Sequence, residues 1–420
     1  MNVLVIGGGG REHAICHQLR RSPLLKKLFV LPGNAGTTSI ATNIAGSATD
    51  IALALEVARR ESIDLTIVGP EDPLAAGVVD AFQKAGRRIF GPSAAAARLE
   101  SDKAFAKQLM RQYVVPTAEA RVFDRYDLAH QYIATRDEAL VVKAAGLAKG
   151  KGVIVCDDPS QALLAAEDML VKRVFGDAGS RIVVEEKLDG REVSVLALVE
   201  GHTIALLEPA RDYKRLRDDD AGPNTGGMGS YSRSDLIDEA TMRLIESQIF
   251  VPLLDGLVRE EIPYCGVLYA GLMLTPAGPK VLEFNCRFGD PETQALLMRL
   301  NSDLLVVVDA ALNARLDEVT LAWDTRPSVC VVMAAPGYPD RPELGERIDG
   351  LSRVSESRDL AVFHAGTQLD AGRVITSGGR VLSVSAVGDS LTEAADRAYA
   401  VVENISFRGA TYRRDIGRKN

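Results

Sequence analysis

Short apolar runs alternate with longer stretches of mixed polarity through the first hundred residues. Val3–Ile6, Leu28–Leu31 and Leu65–Val68 are brief runs rich in Val, Ile and Leu, and Arg88–Phe90 is a fourth, ending in Gly91-Pro92. Runs of this length, closed by Gly or Pro, fit strands buried on both faces. Between them, stretches starting near Glu12, Asp50 and Val78 and ending near Arg21, Glu61 and Ala85 read as helices. Such alternation predicts a doubly wound parallel sheet. Ligands of these sheets bind beyond the carboxyl ends of the strands, which here are Gly7–Glu12, Pro32–Gly36 and Gly69–Asp72.

A helix from Asp102 to Gln112 opens a different pattern. Leu140–Lys143 and Val153–Cys156 read as strands around a glycine-rich loop, with further strands at Arg181–Glu186 and Val193–Val199. The segment Asp218–Gly229, DDDAGPNTGGMG, has little to bury and reads as a long functional loop. Ile262–Pro279 carries no charge, but its prolines and glycines predict strand, turn and strand, not a membrane-spanning helix. Val281–Arg287 continues as a strand. Residues two apart on a strand share a face, so Glu283, Asn285 and Arg287 line one side while Phe284, Cys286 and Phe288 fill the other. A helical region runs from Glu292 to about Leu316, and a boundary is expected near Trp323–Pro327. Strands over 328–334, 361–364 and 380–386 and a helix near Thr392–Asn404 complete the chain.

Composition narrows the class. The chain has 420 residues, 46% hydrophobic and 25% charged, as in a soluble protein of two to four domains. A net charge of −8 argues against a nucleic-acid binder. The five cysteines are scattered, with no C-x-x-C pair, which argues against a disulfide framework or metal cluster and fits a reducing cytoplasm. No signal peptide is read at the N-terminus.

The candidate chemistry lies in five places. Gly7–Gly10 follows a strand, but the third glycine of G-x-G-x-x-G falls on Glu12 or His13, and no acid closes the second strand, so a dinucleotide site is not expected. A glycine turn opening a helix still suits a small anion, with Arg11 for phosphate and Glu12 for hydroxyls or an amine. Lys143–Gly152, KAAGLAKGKG, resembles a flap over phosphates; it returns to a strand and is not a P-loop. Glu185 and Glu186 close a strand whose end can offer backbone groups to an adenine edge, with Glu192 near enough for a ribose. Arg211–Arg215 leads into PNTGGMG, whose successive N–H groups can form an anion nest. The Asp218–Asp220 run reads as a solvated turn. In Glu283, Asn285 and Arg287, a carboxylate and an amide oxygen suit a hard cation, and the guanidinium suits a carboxylate or phosphate. No Ser/His/Asp or Cys/His constellation is present.

These segments together resemble the ATP-grasp ligases, and among them the phosphoribosylamine–glycine ligase family. The resemblance rests on VLVIGGGGREHA, PGNAG, IVGPE, KAAGLAKGKGV, EEKLDGREVSV, GPNTGGMG, LYAGLM, EFNCRFGDPETQ, VFHAGT and GGRVL, which span nearly the whole chain. It implies a doubly wound N-terminal domain over 1–101, a central ATP-grasp domain over 102–325 with a mobile part at about 117–188, and a small α+β domain over 326–420. It implies ligation of glycine to 5-phosphoribosylamine with ATP and Mg²⁺ or Mn²⁺, through glycyl phosphate, in the second step of de novo purine biosynthesis. Neither nucleic acid nor membrane is expected as a partner. A monomer is expected, with at most transient contact to the enzyme that makes phosphoribosylamine.

The resemblance also implies roles by position. Glu283 and Asn285 would hold the metal. Lys103 and Lys143 would contact the phosphates, with Gly146, Lys149, Gly150 and Gly152 in the flap. Glu185, Glu186 and Leu188 would hold adenine, and Glu192 the ribose. Arg287, Asp212, Asn285 and Lys214 would serve the acid substrate and its chemistry, with Thr225, Gly226, Gly227, Met228 and Gly229 as the loop and Asp290, Pro291 and Glu292 beside it. Gly9, Gly10, Arg11, Glu12, Asn34, Gly36, Thr37, Pro70 and Glu71 would hold phosphoribosylamine. Ala145, Lys149, Tyr213 and Gly8 depart from the residues common in the family at those places.

Overall fold

The computed structural model describes residues 1–148 and 150–418. Strands β1 (Asn2–Gly7), β2 (Lys27–Pro32), β3 (Thr42–Asn43), β4 (Leu65–Val68) and β5 (Ile89–Phe90) pair in parallel in the order β3-β2-β1-β4-β5. Helices Gly10–Leu19, Ile51–Arg60 and Val78–Lys84 connect them, as the alternation predicts. The sheet is doubly wound, and its reversal point puts the ends of β1 and β4 side by side. A short helix, Glu71–Ala75, begins directly after β4, so Pro70 and Glu71 stand at that crevice.

Helix Lys103–Gln112 is capped by Asp102, whose carboxylate accepts from the Phe105 N–H at 3.2 Å. Its inner face buries Ala104, Ala106, Leu109 and Met110 together with Lys107. Strands β6 (Ala120–Phe123), β7 (Leu140–Ala144), β8 (Val153–Cys156) and β9 (Ile182–Glu186) form an antiparallel sheet ordered β6-β9-β7-β8. Helices Tyr126–Ile133 and Pro159–Leu170 cover it, around a small core that includes Val142, Ala166 and Val184.

The largest sheet begins with β10 (Arg191–Glu200), β11 (Thr203–Leu206) and β12 (Ala210–Asp212). A ribbon of β13 (Arg215–Arg217) and β14 (Ala221–Asn224) follows, then β15 (Gly229–Ser232), β16 (Cys265–Thr275) and β17 (Gly278–Asn285). After β18 (Ser328–Ala334) and β19 (Leu360–His364) come a ribbon of β20 (Thr367–Asp370) and β21 (Arg373–Thr376), and last β22 (Arg380–Val387). The order β17-β16-β10-β12-β15-β18-β22-β19 runs without a break, with β11 attached to β10. Strands from the C-terminal part thus continue the sheet that carries β17, and Leu391–Val402 packs over them.

Three expectations change. The segment Asp218–Gly229 is not one long loop: Ala221–Asn224 is a strand of the small ribbon, and Gly229 already begins β15. The Asp218–Asp220 run is exposed but not simply a solvated turn. It holds the C-terminal tail: the Asp220 carboxylate pairs with Arg413 at 2.8 Å, and Asp218 accepts from the Arg414 N–H at 2.7 Å. The helical region after Glu292 is two helices, Glu292–Arg299 and Leu304–Leu312, because Asp303 caps a new helix by accepting from Leu305 and Val306 N–H groups. No helix among the described residues is long and apolar enough to cross a membrane.

Candidate active site

A cleft of about 1060 Å³ opens where the parallel sheet, the β6–β9 sheet and the large sheet meet. Its floor is the hairpin of β16 and β17. The register there shifts, with Gly271 opposite Glu283 and Leu272 opposite Val281, so Leu282 is the extra residue of a bulge. A bulge frees ladder groups for other partners, and the Leu282 carbonyl accepts from Lys143 Nζ at 2.9 Å. Glu283, Asn285 and Arg287 line the cleft. Phe284, Cys286 and Phe288 on the reverse side are 2%, 1% and 3% exposed, which is the two-sided strand the alternation predicts.

Lysines gather at the end of the cleft nearest the β6–β9 sheet. Glu185 lies between Lys143 (2.9 Å to Oε2) and Lys107 (3.1 Å to Oε1), and all three are buried. Lys103, one helical turn before Lys107, donates to the Gly146 carbonyl at 3.3 Å, and burial lowers its pKa. Gly150, Gly152, Glu186 and Leu188 line the same end. The glycine-rich loop is tied at its base by Ala145 and Gly146 N–H groups donating to Arg181 and Ala178 carbonyls. Lys151 reaches across to the Pro339 carbonyl at 2.7 Å. Lys149 lies outside the described residues. Glu192 pairs with Lys214, which also stands 3.7 Å from Glu283. Burial alone would raise the Glu283 pKa, but Lys214, Lys143 and Lys103 outweigh it and hold the carboxyl below its ordinary value.

At the other end Asp212 is the key group. Its Oδ1 is buried with no hydrogen-bond partner among the described residues. Burial, reinforced by Glu292, pushes its pKa well up. Gly227 faces it with φ +107°, and a Cβ there would lie 2.4 Å from Pro291 Cδ and 2.8 Å from Asp212 Oδ1. Only glycine allows this close approach. Thr225 fixes the loop, donating its hydroxyl to the Lys214 carbonyl at 2.8 Å and accepting from Gly227 N–H at 3.0 Å. Thr225 and Gly226 line the cleft with Asp290 and Glu292, whereas Met228 and Gly229 are buried behind it. Ser230 Oγ donates to the Pro291 carbonyl at 2.8 Å, joining the loop to the start of the helix at Glu292.

Arg287 is already engaged. It pairs with Glu71 and Glu100, both at 2.9 Å, and lies 3.4 Å from Asn285 Oδ1. Arg287 pulls the Glu71 pKa down to about 2, whereas burial raises that of Glu100. Arg11 joins this group, donating to the Phe288 carbonyl at 3.1 Å and standing 4.0 Å from Glu71. Arg11, Pro70 and Glu71 line the cleft. The residues behind them are knitted together. Gly9 N–H donates to Glu12 at 2.6 Å, so this carboxylate caps its own helix, and Gly10 packs against Gln294. Asn34 accepts from Gly36 and Thr37 N–H groups at 2.9 and 3.1 Å and donates to the His364 carbonyl at 2.7 Å.

Four polar cleft residues escape a reading by local motif: Glu100, Lys107, Tyr338 and Arg380. Arg380 donates to the Gly226 carbonyl and, at 2.7 Å, to the Asp290 carbonyl; Tyr338 accepts from Gly226 N–H at 2.8 Å. Their distance in sequence hides them. Arg380 does sit within the matched GGRVL segment, and Lys107 stands four residues after Lys103 on one helix face; these were the available signals.

Known proteins resemble this chain over nearly its whole length. Residues 1–100, 101–293 and 328–419 match the N domain, the ATP-grasp (A) domain and the C domain of phosphoribosylglycinamide synthetase. The chain is 49% identical over 425 residues to the phosphoribosylamine–glycine ligase of Rhodopirellula baltica, covering 100% of this chain and 97% of that one. It is 47% identical over 416 residues to that of Caldanaerobacter subterraneus, covering 99% of each. The crystal structure of phosphoribosylamine–glycine ligase from Thermotoga maritima superposes with a TM-score of 0.86 at 34% identity, covering 99% of this chain and 100% of that one. The biotin carboxylase domain of Hydrogenobacter thermophilus 2-oxoglutarate carboxylase shares the fold, with a TM-score of 0.74 at 16% identity over 98% of this chain and 91% of that one. The chain therefore belongs to the phosphoribosylamine–glycine ligase family, ATP-grasp enzymes that join glycine to phosphoribosylamine in purine biosynthesis.

Proposed function

We propose that this cleft performs the ligation in two displacements through glycyl phosphate. A carboxylate oxygen of glycine attacks the γ-phosphorus of ATP, and the bond to the ADP oxygen breaks. The amine of phosphoribosylamine then attacks the acyl carbon. Phosphate leaves with the former glycine oxygen, and the amine nitrogen sheds a proton. No enzyme nucleophile is required, so positioning and charge carry the catalysis.

In this reading Lys103 and Lys143 bind the phosphates under the Gly146–Gly152 flap. Glu185, Glu186 and Leu188 take the adenine, and Glu192 the ribose. Glu283 and Asn285 are two oxygen donors on one strand face. Among the described residues no group of three or more His, Cys, Asp or Glu could cage a metal. That donor set fits Mg²⁺, which is held by one or two protein oxygens and completed by phosphates. The ADP–magnesium complex named for the Hydrogenobacter domain supports this use of the fold. When bound, Mg²⁺ or Mn²⁺ would neutralise charge on the phosphates.

Asp212, Lys214, Arg287 and the Thr225–Gly229 loop hold glycine and the acyl phosphate, with Asp290, Pro291 and Glu292 beside them. Arg11, Pro70 and Glu71 meet phosphoribosylamine, framed by Gly9, Gly10, Glu12, Asn34, Gly36 and Thr37. The observation that carries the reading is the buried Asp212 Oδ1, unpartnered among the described residues and facing the Gly227 loop. An unpaired buried carboxylate is costly, and an ammonium ion such as that of glycine would satisfy it.

Glycine labelled with ¹⁸O in its carboxylate tests the route. One labelled oxygen should appear in inorganic phosphate per product formed. Phosphate free of label would refute activation at the carboxylate.

A further inference from the structure

Lys107 is buried among charged groups, and the reaction as described gives it no role. Its Nζ donates to Thr117 Oγ1 at 2.7 Å and stands 3.1 Å from Glu185 Oε1. Thr117 in turn donates to the Val281 carbonyl at 2.6 Å, tying this corner to β17. The other oxygen of Glu185 faces Lys143, whose Nζ also donates to the bulge carbonyl of Leu282. One carboxylate is thus shared by two lysines on opposite sides, and only Lys143 is assigned to phosphate.

Removing the charge on Lys107 leaves Glu185 with a single counter-ion. Glu185 would then hold Lys143 as a neutral pair, and the positive charge offered to the nucleotide would fall by one. With Lys107 protonated, the trio keeps a net charge of +1 and Lys143 is shared less tightly. We infer that Lys107 is a positioning residue for ATP: by holding Glu185 from behind, it keeps Lys143 oriented and available to the phosphates. This rests on the reading of the cleft as the ATP site, and it adds a residue and a regulating proton to that reading.

The environment sets where the proton is lost. The groups facing Lys107 are Glu185 and Glu186 from β9 and Lys143 from β7. Burial dominates and lowers the Lys107 pKa to about 8, with Glu185 opposing. Lys107 is therefore charged below about pH 8 and loses its charge above it. The apparent affinity for ATP should weaken as the pH rises through that range.

The test compares the wild type with Lys107→Met and Lys107→Arg, reading KM for ATP and for glycine and kcat from pH 7 to 9.5, with melting temperatures alongside. In the wild type, KM for ATP should rise about tenfold or more across the range. Lys107→Met should show the high-pH value of KM for ATP at every pH, with KM for glycine within twofold of wild type. Lys107→Arg stays charged throughout, and should hold the low KM for ATP up to pH 9.5. A Lys107→Met enzyme with wild-type KM for ATP, or with the alkaline rise intact, overturns the proposal. So does a lowered melting temperature with no selective change in KM, which is what a purely structural ion pair would give. If Lys107→Met fails to fold, the Lys107→Arg profile decides alone: an unshifted alkaline rise overturns the proposal. A wild type that neither binds nor turns over ATP would instead refute the reading of the cleft.

Discussion

Glu283→Ala should lower ATP-dependent turnover by about a thousandfold or more while the protein keeps its fold. The side chain lines the cleft at the end of β17, and its removal leaves the apolar reverse side, Phe284 and Cys286, untouched. Its work is electrostatic. It is one of the two oxygen donors on this strand face, and its neighbours Lys214, Lys143 and Lys103 keep it ionised. Losing a ligand of the ion that would neutralise charge in the transition state commonly costs several kcal/mol, and each ~1.4 kcal/mol is about tenfold in rate. The check pairs steady-state rates with a magnesium titration of ATP binding and a melting curve. Normal turnover, or unchanged dependence of ATP binding on magnesium, would remove Glu283 from the proposed metal site.

Arg287→Met should abolish turnover and also destabilise the protein by about 3 kcal/mol, because it leaves Glu71 and Glu100 facing each other without their shared cation. The pH dependence carries the sign. In the wild type, Arg287 holds the Glu71 pKa down to about 2. That contribution to stability is present above the ordinary carboxyl value of about 4.3 and is lost as the pH falls toward 2. In the variant both carboxyls are pushed up instead. The folded form then takes up protons before the unfolded form does, so stability should rise as the pH falls from 7 to 5. Denaturant unfolding at several pH values reads this directly. A variant whose stability follows the wild-type pH profile over that interval, with no rise toward pH 5, would show that the Glu71–Arg287–Glu100 cluster does not couple to folding.

Much of the architecture is legible in the chain because it follows from periodicity. The buried runs Val3–Ile6 and Leu65–Val68, short and closed by glycine, read as interior strands, and the side preference of Glu283, Asn285 and Arg287 follows from a period of two. What is hidden is long-range pairing. Nothing local in Ser328–Ala334 says that it hydrogen-bonds to Gly229–Ser232, and so the arrival of Tyr338 and Arg380 beside Gly226 is invisible until the sheet is assembled. The Asp218–Asp220 run misleads for a similar reason: three consecutive acids look solvated until Arg413 and Arg414, nearly two hundred residues away, dock on them. Arg287 is the instructive case within the site. Its residue type and position suggest an arginine free to grip an acid, yet in the folded chain Glu71 and Glu100 hold it, one from the turn after β4 and one from helix Ala94–Ser101. A substrate carboxylate at this position would have to share the guanidinium with them.

The measurement that bears most directly on the whole account is phosphate release from Mg-ATP with glycine present, with and without freshly generated phosphoribosylamine. Sustained release that needs both substrates, with one glycinamide ribonucleotide formed per phosphate, is the predicted result. Release that proceeds equally well with another amino acid, or ATP binding with no release when both substrates are supplied, would contradict it.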